Sequence, residues 1–339
     1  MIQRAGVLML AYSAGCHMGA GAVRGRGMAP GEARPSPCVG PARTERGIQP
    51  QGTQLLGVRL RAPGDPQSVL FERVELNSLT LTGAAAERAQ LDGGVLRLAP
   101  RDGAKERSGV ALTGGRMTAR DTGHRAVDLA LCEIAPSPGD INVLRYRLEA
   151  FDSQRGEWAN PCAGTDANPT PWAIALAGIW DGQGAHRASD HEFTFGCENG
   201  ALAKCVHWGY KPWAQHDGAP LDDMHQACTR MARADYCGDG RDHTIEATQI
   251  EMWDDLGVQQ PIADAERVRL SLELEATWLP DGAACMHHSR DGTPLARIAA
   301  ECPARLVAPT AAEKKDCRLV RSGTPMPARL RNRSATIER

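Results

Sequence analysis

The chain has 339 residues, with 41 acidic and 39 basic side chains, a formal net charge of −2 and 11 cysteines. Both ends are basic and the body between them is acidic, which argues against a nucleic-acid-binding core. So many cysteines are unusual in a reducing compartment, and behind an export signal they read as a disulfide framework.

Arg4 supplies a positive start, and Ala5 to Ala14 is an apolar run too short for a membrane-spanning helix, which needs about 20 residues. That combination predicts an export signal over residues 1–15. Ser13-Ala14-Gly15-Cys16 resembles a bacterial lipobox, with Ser13 where such boxes usually carry Leu. It predicts lipidation of Cys16 and a membrane anchor; a secreted or periplasmic protein is the alternative. Residues 16–50 are rich in Gly and Pro and poor in large apolar side chains, so they read as a disordered tether that carries Cys38.

Residues 51–159 alternate apolar and polar side chains in short runs at 54–60, 79–83, 94–100 and 109–119. The clearest run is Asn142 to Phe151, with Leu144, Tyr146, Leu148 and Ala150 on one face. Such alternation predicts antiparallel strands packed on one side, in a β-sandwich-like domain or a partly open barrel.

Residues 160–305 read as a disulfide-stapled α+β domain, so the fold class is α+β, mostly β. Ala173 to Ile179 and Glu192 to Cys197 read as strands, and Leu202 to Trp208 as a short helix. Leu221 to Tyr236 is the one prominent helix, with Met224, Ala227, Cys228 and Met231 on one face. Asp222 or Asp223 can cap it, and Gly238 lies just past its end. Arg267 to Leu279 alternates strictly and predicts a long strand with Val268, Leu270, Leu272, Leu274, Ala276 and Trp278 inward. Residues 306–339 form a basic tail that reads as disordered.

With Cys16 set aside for lipid, ten cysteines are available for bridges. A continuous helix would separate Cys228 from Cys237 by about 13 Å, beyond the roughly 7 Å a disulfide tolerates. That excludes Cys228–Cys237; we expect Cys205–Cys228 between the two helices, Cys197–Cys237 closing the strand to the helix end and Cys132–Cys162 stapling the long strand's entry to its exit, and leave Cys38, Cys285, Cys302 and Cys317 open. A competing set for zinc is His225, Cys228, Cys237 and His243, but its spacing fits no zinc module. Asp235, Asp239 and Asp242 are a competing calcium loop; no metal and no cofactor is expected.

The chain carries no Gly-x-Ser-x-Gly, His-Glu-x-x-His, P-loop or Gly-x-Gly-x-x-Gly after a strand. The candidates for a reactive centre are His225, Asp235, Asp239 and His243, around the prominent helix. The competing role for Asp235 is a buried carboxylate bonded to backbone N–H groups or to Arg230, although five residues is a poor separation for a helical ion pair. Trp208, Tyr210 and Trp213 fall within six residues and could stack on a glycan or anchor a protein partner, or else line a core.

His225-Gln226-Ala227-Cys228-Thr229-Arg230-Met231, then Ala234-Asp235-Tyr236-Cys237 and Gly238-Asp239-Gly240, resemble the ADYC-domain family of exported bacterial proteins. Segments 200–213 and 277–286 fit the same pattern, so the resemblance covers roughly residues 160–305. It implies export and offers no catalytic residues to carry over. The expected function is a cell-envelope lipoprotein or secreted binding or structural module, partnered by the membrane, an envelope protein or a glycan. The alternative is a hydrolase acting on a cell-wall or extracellular polymer.

Overall fold

The computed structural model of the protein describes residues 54–58, 71–81, 84–100, 105–153, 156–162, 171–303, 305–309, 317–323 and 329–335. The predicted export signal, Cys16, the tether and Cys38 lie outside the described residues.

The first sheet is built from β1 (Arg73–Leu81), β2 (Ala84–Asp92), β3 (Val95–Pro100), β4 (Arg107–Ser108), β5 (Arg116–Arg120), β6 (Ala126–Ser137), β7 (Asp140–Asp152), β8 (Glu157–Ala159) and β9 (Ala173–Ala177). After a short hairpin of β10 (Ile179–Trp180) and β11 (His186–Arg187), β12 (Glu192–Cys197) completes it. Strands β1, β5, β6, β7, β9 and β12 each pair antiparallel with the next, and β12 returns to β1 through Val74 opposite Phe193. This is a closed six-stranded barrel, in place of the expected sandwich or partly open barrel. The alternation is the same in these architectures, because each buries one face of every strand. What closes the ring is β1, whose register breaks between Glu75 and Thr80. Its first residues pair with β12, and its last with β2, so one strand edge serves two neighbours.

Leu76, Leu79, Tyr146, Leu148, Phe193 and Phe195 are buried in this first core. The β2–β3 hairpin is tied to it by Tyr146, whose hydroxyl donates to Gly94 O at 2.9 Å and accepts from Leu96 N–H at 3.1 Å. The turn uses Gly93 and Gly94 at positive φ, and Trp213 packs on it so closely that a Cβ on Gly94 would meet the indole at 3.1 Å. The strand expected over 109–119 is instead a 3-10 turn, Gly109–Leu112, followed by β5. The barrel also runs to Cys197, so the expected boundary after residue 159 falls inside it.

The rest of the chain gives α1 (Ala201–His207), β13 (Gln215–His216), β14 (Ala219–Pro220), α2 (Asp222–Arg233), β15 (Ile250–Asp254), α3 (Asp264–Arg269), β16 (Leu272–Leu279), β17 (Gly282–Met286), α4 (Leu295–Glu301), β18 (Leu306–Val307), β19 (Leu319–Arg321) and β20 (Leu330–Ala335). Strands β15, β20, β16, β17, β19 and β18 form a second, six-stranded antiparallel sheet in that order. Its strand β20 corrects the reading of 306–339 as a disordered tail. Leu330, Asn332 and Ser334 point inward, while Arg331 pairs with Asp255 and Arg333 with Glu251, the latter also lying over the Trp253 ring. Two inward polar residues and two outward arginines hide the strand from a hydrophobic pattern.

The long strand expected from Arg267 is also corrected: residues 264–269 form α3, and Val268 is 72% exposed. Acidic Asp264 and Glu266 sit early in this helix and Arg267 and Arg269 late, with Arg267–Asp264 and Arg269–Glu266 pairs along it. That order suits the helix dipole, and Ser271 at φ 51° breaks the helix from β16.

Helix α2 is buried on every side from Met224 to Met231. Its expected apolar face packs in the second core. The opposite face is buried too: His225 bonds Leu202 O, and Gln226 joins Trp180 Nε1 to Gly184 O. Leu221, not an aspartate, holds the N-cap position, with no side-chain cap; Asp222 and Asp223 lie in the first turn.

Four disulfides are present among the described residues: Cys162–Cys197, Cys205–Cys228, Cys237–Cys302 and Cys285–Cys317. Two expected pairs are corrected. Cys197 is bridged to Cys162 rather than Cys237, because β12 runs back alongside the start of β9 at the barrel rim. Cys132 is buried within β6 and belongs to none of the four bridges. Cys237 faces α4 and pairs with Cys302.

Candidate functional site

The motif Ala234-Asp235-Tyr236-Cys237 leaves the C-terminus of α2 as a turn in which each side chain has a separate task. Ala234 adopts the left-handed conformation, φ 51° and ψ 41°, in the place expected for Gly238. Asp235 N–H then reaches back to Arg230 O at 2.9 Å, which closes the helix end. Gly238 serves a different purpose. The turn after it lies against the Pro280–Gly282 connection, and a Cβ on Gly238 would lie 1.9 Å from Asp281 O. Ala283 N–H bonds Tyr236 O, and Arg305 donates to Cys237 O and Asp281 O, so two backbone segments are sewn together.

Asp235 is fully buried and holds Arg230 at 2.6 Å. Helical spacing would keep these two apart; the left-handed turn at Ala234 brings them together. Asp235 also accepts from Asp239 N–H and Gly240 N–H, and Arg230 donates onward to Gln183 O. Every expected charge here has a partner, so Asp235 folds the loop instead of facing solvent.

Tyr236 stacks on Trp278 at 5.4 Å and donates its hydroxyl to Glu275 Oε1 at 3.0 Å. Glu275 also receives Arg290 through both oxygens and Asn332 Nδ2 at 2.8 Å. Burial pushes the Glu275 carboxyl up, but Arg290 and the hydrogen bonds outweigh it and hold the group below the ordinary carboxylate range. Burial and the neighbouring Glu275 raise the Tyr236 phenol well above its usual value. Arg290 further donates to Met231 O and Ala232 O, neutralising the C-terminal end of α2.

His243 borders this network. Its ring lies 5.5 Å from Tyr236, with Asp291 Oδ2 3.3 Å from Nδ1 and Glu301 Oε2 3.4 Å from Nε2. Asp239 turns away to Arg241, and His225 lies on the far face of α2 with its nitrogen on Leu202 O. Thus His225, Asp235, Asp239 and His243 do not converge on one reacting atom. Burial pushes His225 down to about 4, so it is a neutral core residue.

The two competing metal sets are likewise dispersed. Cys228 and Cys237 belong to different disulfides, which removes the zinc set. Asp235 is held by Arg230, Asp239 by Arg241, and Asp242 lies 4.0 Å from Arg233, so each carboxylate of the calcium set faces an arginine.

The aromatic trio is separated as well. Tyr210 is fully buried and bonds Asp254 at 2.8 Å, Trp208 packs against the second core, and Trp213 packs against the first. They form no shared stacking face. A polar cleft does exist on the barrel, lined by Ser78, Thr80, Arg116, Thr118 and Asp128, with the Arg116 guanidinium 4.7 Å from the ring centre of half-buried Trp158. Its residues come from three strands, β1, β5 and β6, so no linear motif announces it.

A closed barrel joined to a disulfide-stapled second sheet, with a buried helix between them, defines the class of protein. The model of one family, the ADYC domain, matches residues 109–292, more than half of the chain, and the chain belongs to that family. The match begins inside the barrel, well before the residue 160 expected, and ends before Cys302. No curated protein and no solved structure matches the chain.

Proposed function

We propose that the protein is a binding module of the cell envelope, exported by residues 1–15, anchored through Cys16, and directed at a glycan through the barrel cleft. Four disulfides support an oxidising destination, and no helix among the described residues is long and apolar enough to cross a membrane. The observation that carries the reading is the cleft itself. Thr80 and Thr118 offer hydroxyls, Arg116 and Asp128 offer a donor fork and an acceptor, and the Trp158 ring lies under the Arg116 guanidinium, while the Ser78 hydroxyl is spent on Glu75 O and Thr118 N–H. Sugars are bound by such planar polar groups next to an aromatic face.

The test is co-sedimentation of the purified chain with insoluble cell-wall glycan. Binding without release of soluble fragments, weakened at least tenfold by Arg116→Ala and Asp128→Ala at unchanged melting temperature, is the expected result. No binding, or binding indifferent to both variants, overturns it. A hydrolase is the second reading, supported by the partly exposed Asp291 and Glu301 on either side of His243. Fragment release abolished by Glu301→Gln would favour it.

A further inference from the structure

The four disulfides are not equivalent. Cys162, Cys197, Cys205, Cys228, Cys237 and Cys302 are all buried, whereas Cys285 and Cys317 are both partly exposed. Reduction requires a thiolate to approach a disulfide sulfur, so access alone sets Cys285–Cys317 apart. It is also the bridge with a histidine against it: His287 Nε2 lies 3.5 Å from Cys285 Sγ. Cys285 and His287 are two residues apart at the end of β17 and so project to the same side, while Met286 between them is buried. Cys317 comes from the segment entering β19, which pairs with β17. Strand pairing therefore brings together two sulfurs and one imidazole, and their ligand atoms all lie within 4.8 Å of one another.

We propose that Cys285, His287 and Cys317 form a redox-gated site for a thiophilic d10 metal ion, Zn2+ or Cu+. In the oxidised protein the sulfurs are bonded to each other and offer no thiolate. A dithiol reductant opens the site. One of its thiolates attacks Cys317 Sγ, forming a mixed disulfide and releasing Cys285 as a thiolate beside His287. The second thiol of the reductant then displaces Cys317. The protein gains two electrons and two protons as two thiols, and the reductant leaves as its own disulfide. A metal ion then displaces the two thiol protons and is held by two thiolates and the imidazole. Three protein ligands leave one position of a tetrahedral ion open for water or a further ligand. Because the other three bridges stay closed, the second core remains stapled while this edge of the sheet changes state.

The test uses the whole purified chain under native, anaerobic conditions. Graded dithiothreitol followed by differential alkylation and peptide mass spectrometry reports which bridge opens first. After removal of the reductant, metal uptake is read by competition with chromophoric chelators, in one arm with Zn2+ and in another with Cu+. The expected result is first opening of Cys285–Cys317, then one equivalent of metal bound by the reduced protein and none by the oxidised protein. His287→Ala should weaken that uptake at least tenfold while circular dichroism stays unchanged. The paired Cys285→Ser, Cys317→Ser variant should bind none after the same treatment. Earlier opening of another bridge, no uptake of either ion, or uptake unchanged by His287→Ala would overturn the proposal. Tighter competition in one arm identifies which of the two ions the site prefers.

Discussion

Arg290 grips Glu275 through both carboxylate oxygens, Nη2 to Oε1 at 2.9 Å and Nε to Oε2 at 3.0 Å, with neither side chain more than 1% exposed. The pair joins three chain segments, because Tyr236 and Asn332 bond the same carboxylate from the α2 turn and from β20. Removing one partner leaves a buried charge unpaired. Arg290→Met should destabilise the protein by about 3–5 kcal/mol. Equilibrium unfolding in urea measures this. A loss under about 1 kcal/mol would mean that water or another cation compensates Glu275.

Acid should loosen the fold in a defined window. Burial pushes both His225 and His207 down to about 4 from an ordinary value of 6.5, so both are neutral when folded. A histidine whose folded value is depressed binds its proton more readily when unfolded. Its contribution is therefore complete above pH 6.5 and is lost as the pH falls toward 4. For His225 this amounts to something on the order of 3 kcal/mol across the window. Urea midpoints between pH 7 and 4 should fall, and His225→Gln should flatten the slope. An unchanged slope in the variant would place the acid sensitivity elsewhere.

The last strand should be indispensable. Deleting residues 324–339 removes β20 from between β15 and β16 and takes Asn332 away from Trp278 and Glu275. The truncated chain should lose its cooperative thermal transition and its near-ultraviolet circular dichroism. A truncated protein that melts like the full chain would show that β20 adds little to the second sheet.

Gly238 should tolerate no side chain. Its φ is +66°, and a Cβ would lie 1.9 Å from the backbone oxygen of Asp281, which Arg305 holds in place. Gly238→Ala should cost more than about 2 kcal/mol. Gly218 has φ +81° but nothing within 4 Å, so Gly218→Ala is the matched control for backbone strain alone. Equal losses in the two variants would assign the effect to φ and not to the close approach.

The sequence by itself determined the local elements whose pattern is short-ranged. Tyr146, Leu148 and Ala150 do share the buried face of β7, and α2 does carry Met224, Ala227, Cys228 and Met231 into a core. Periodicity reports one buried face, because it depends only on neighbouring residues. The motif around Asp235 and Tyr236 was likewise legible as a family signature, and its match establishes membership.

Only the tertiary structure decided the rest. Barrel closure depends on β12 finding β1 across more than a hundred residues, which no local pattern encodes. Burial of the second face of α2 depends on Trp180, Gly184 and Leu202 arriving from other segments to satisfy Gln226 and His225. Strand β20 reads as a basic tail because two of its three inward residues, Asn332 and Ser334, are polar and acquire partners only once Glu275, Trp278 and His288 are in place. Cysteine pairing follows the same rule, since the sequence offers several partners for Cys197 and Cys237 and the bridges form between the sulfurs that the fold brings together in space. Polar side chains carry no fixed address in a sequence. They become interior residues where the fold supplies a partner for every donor and acceptor.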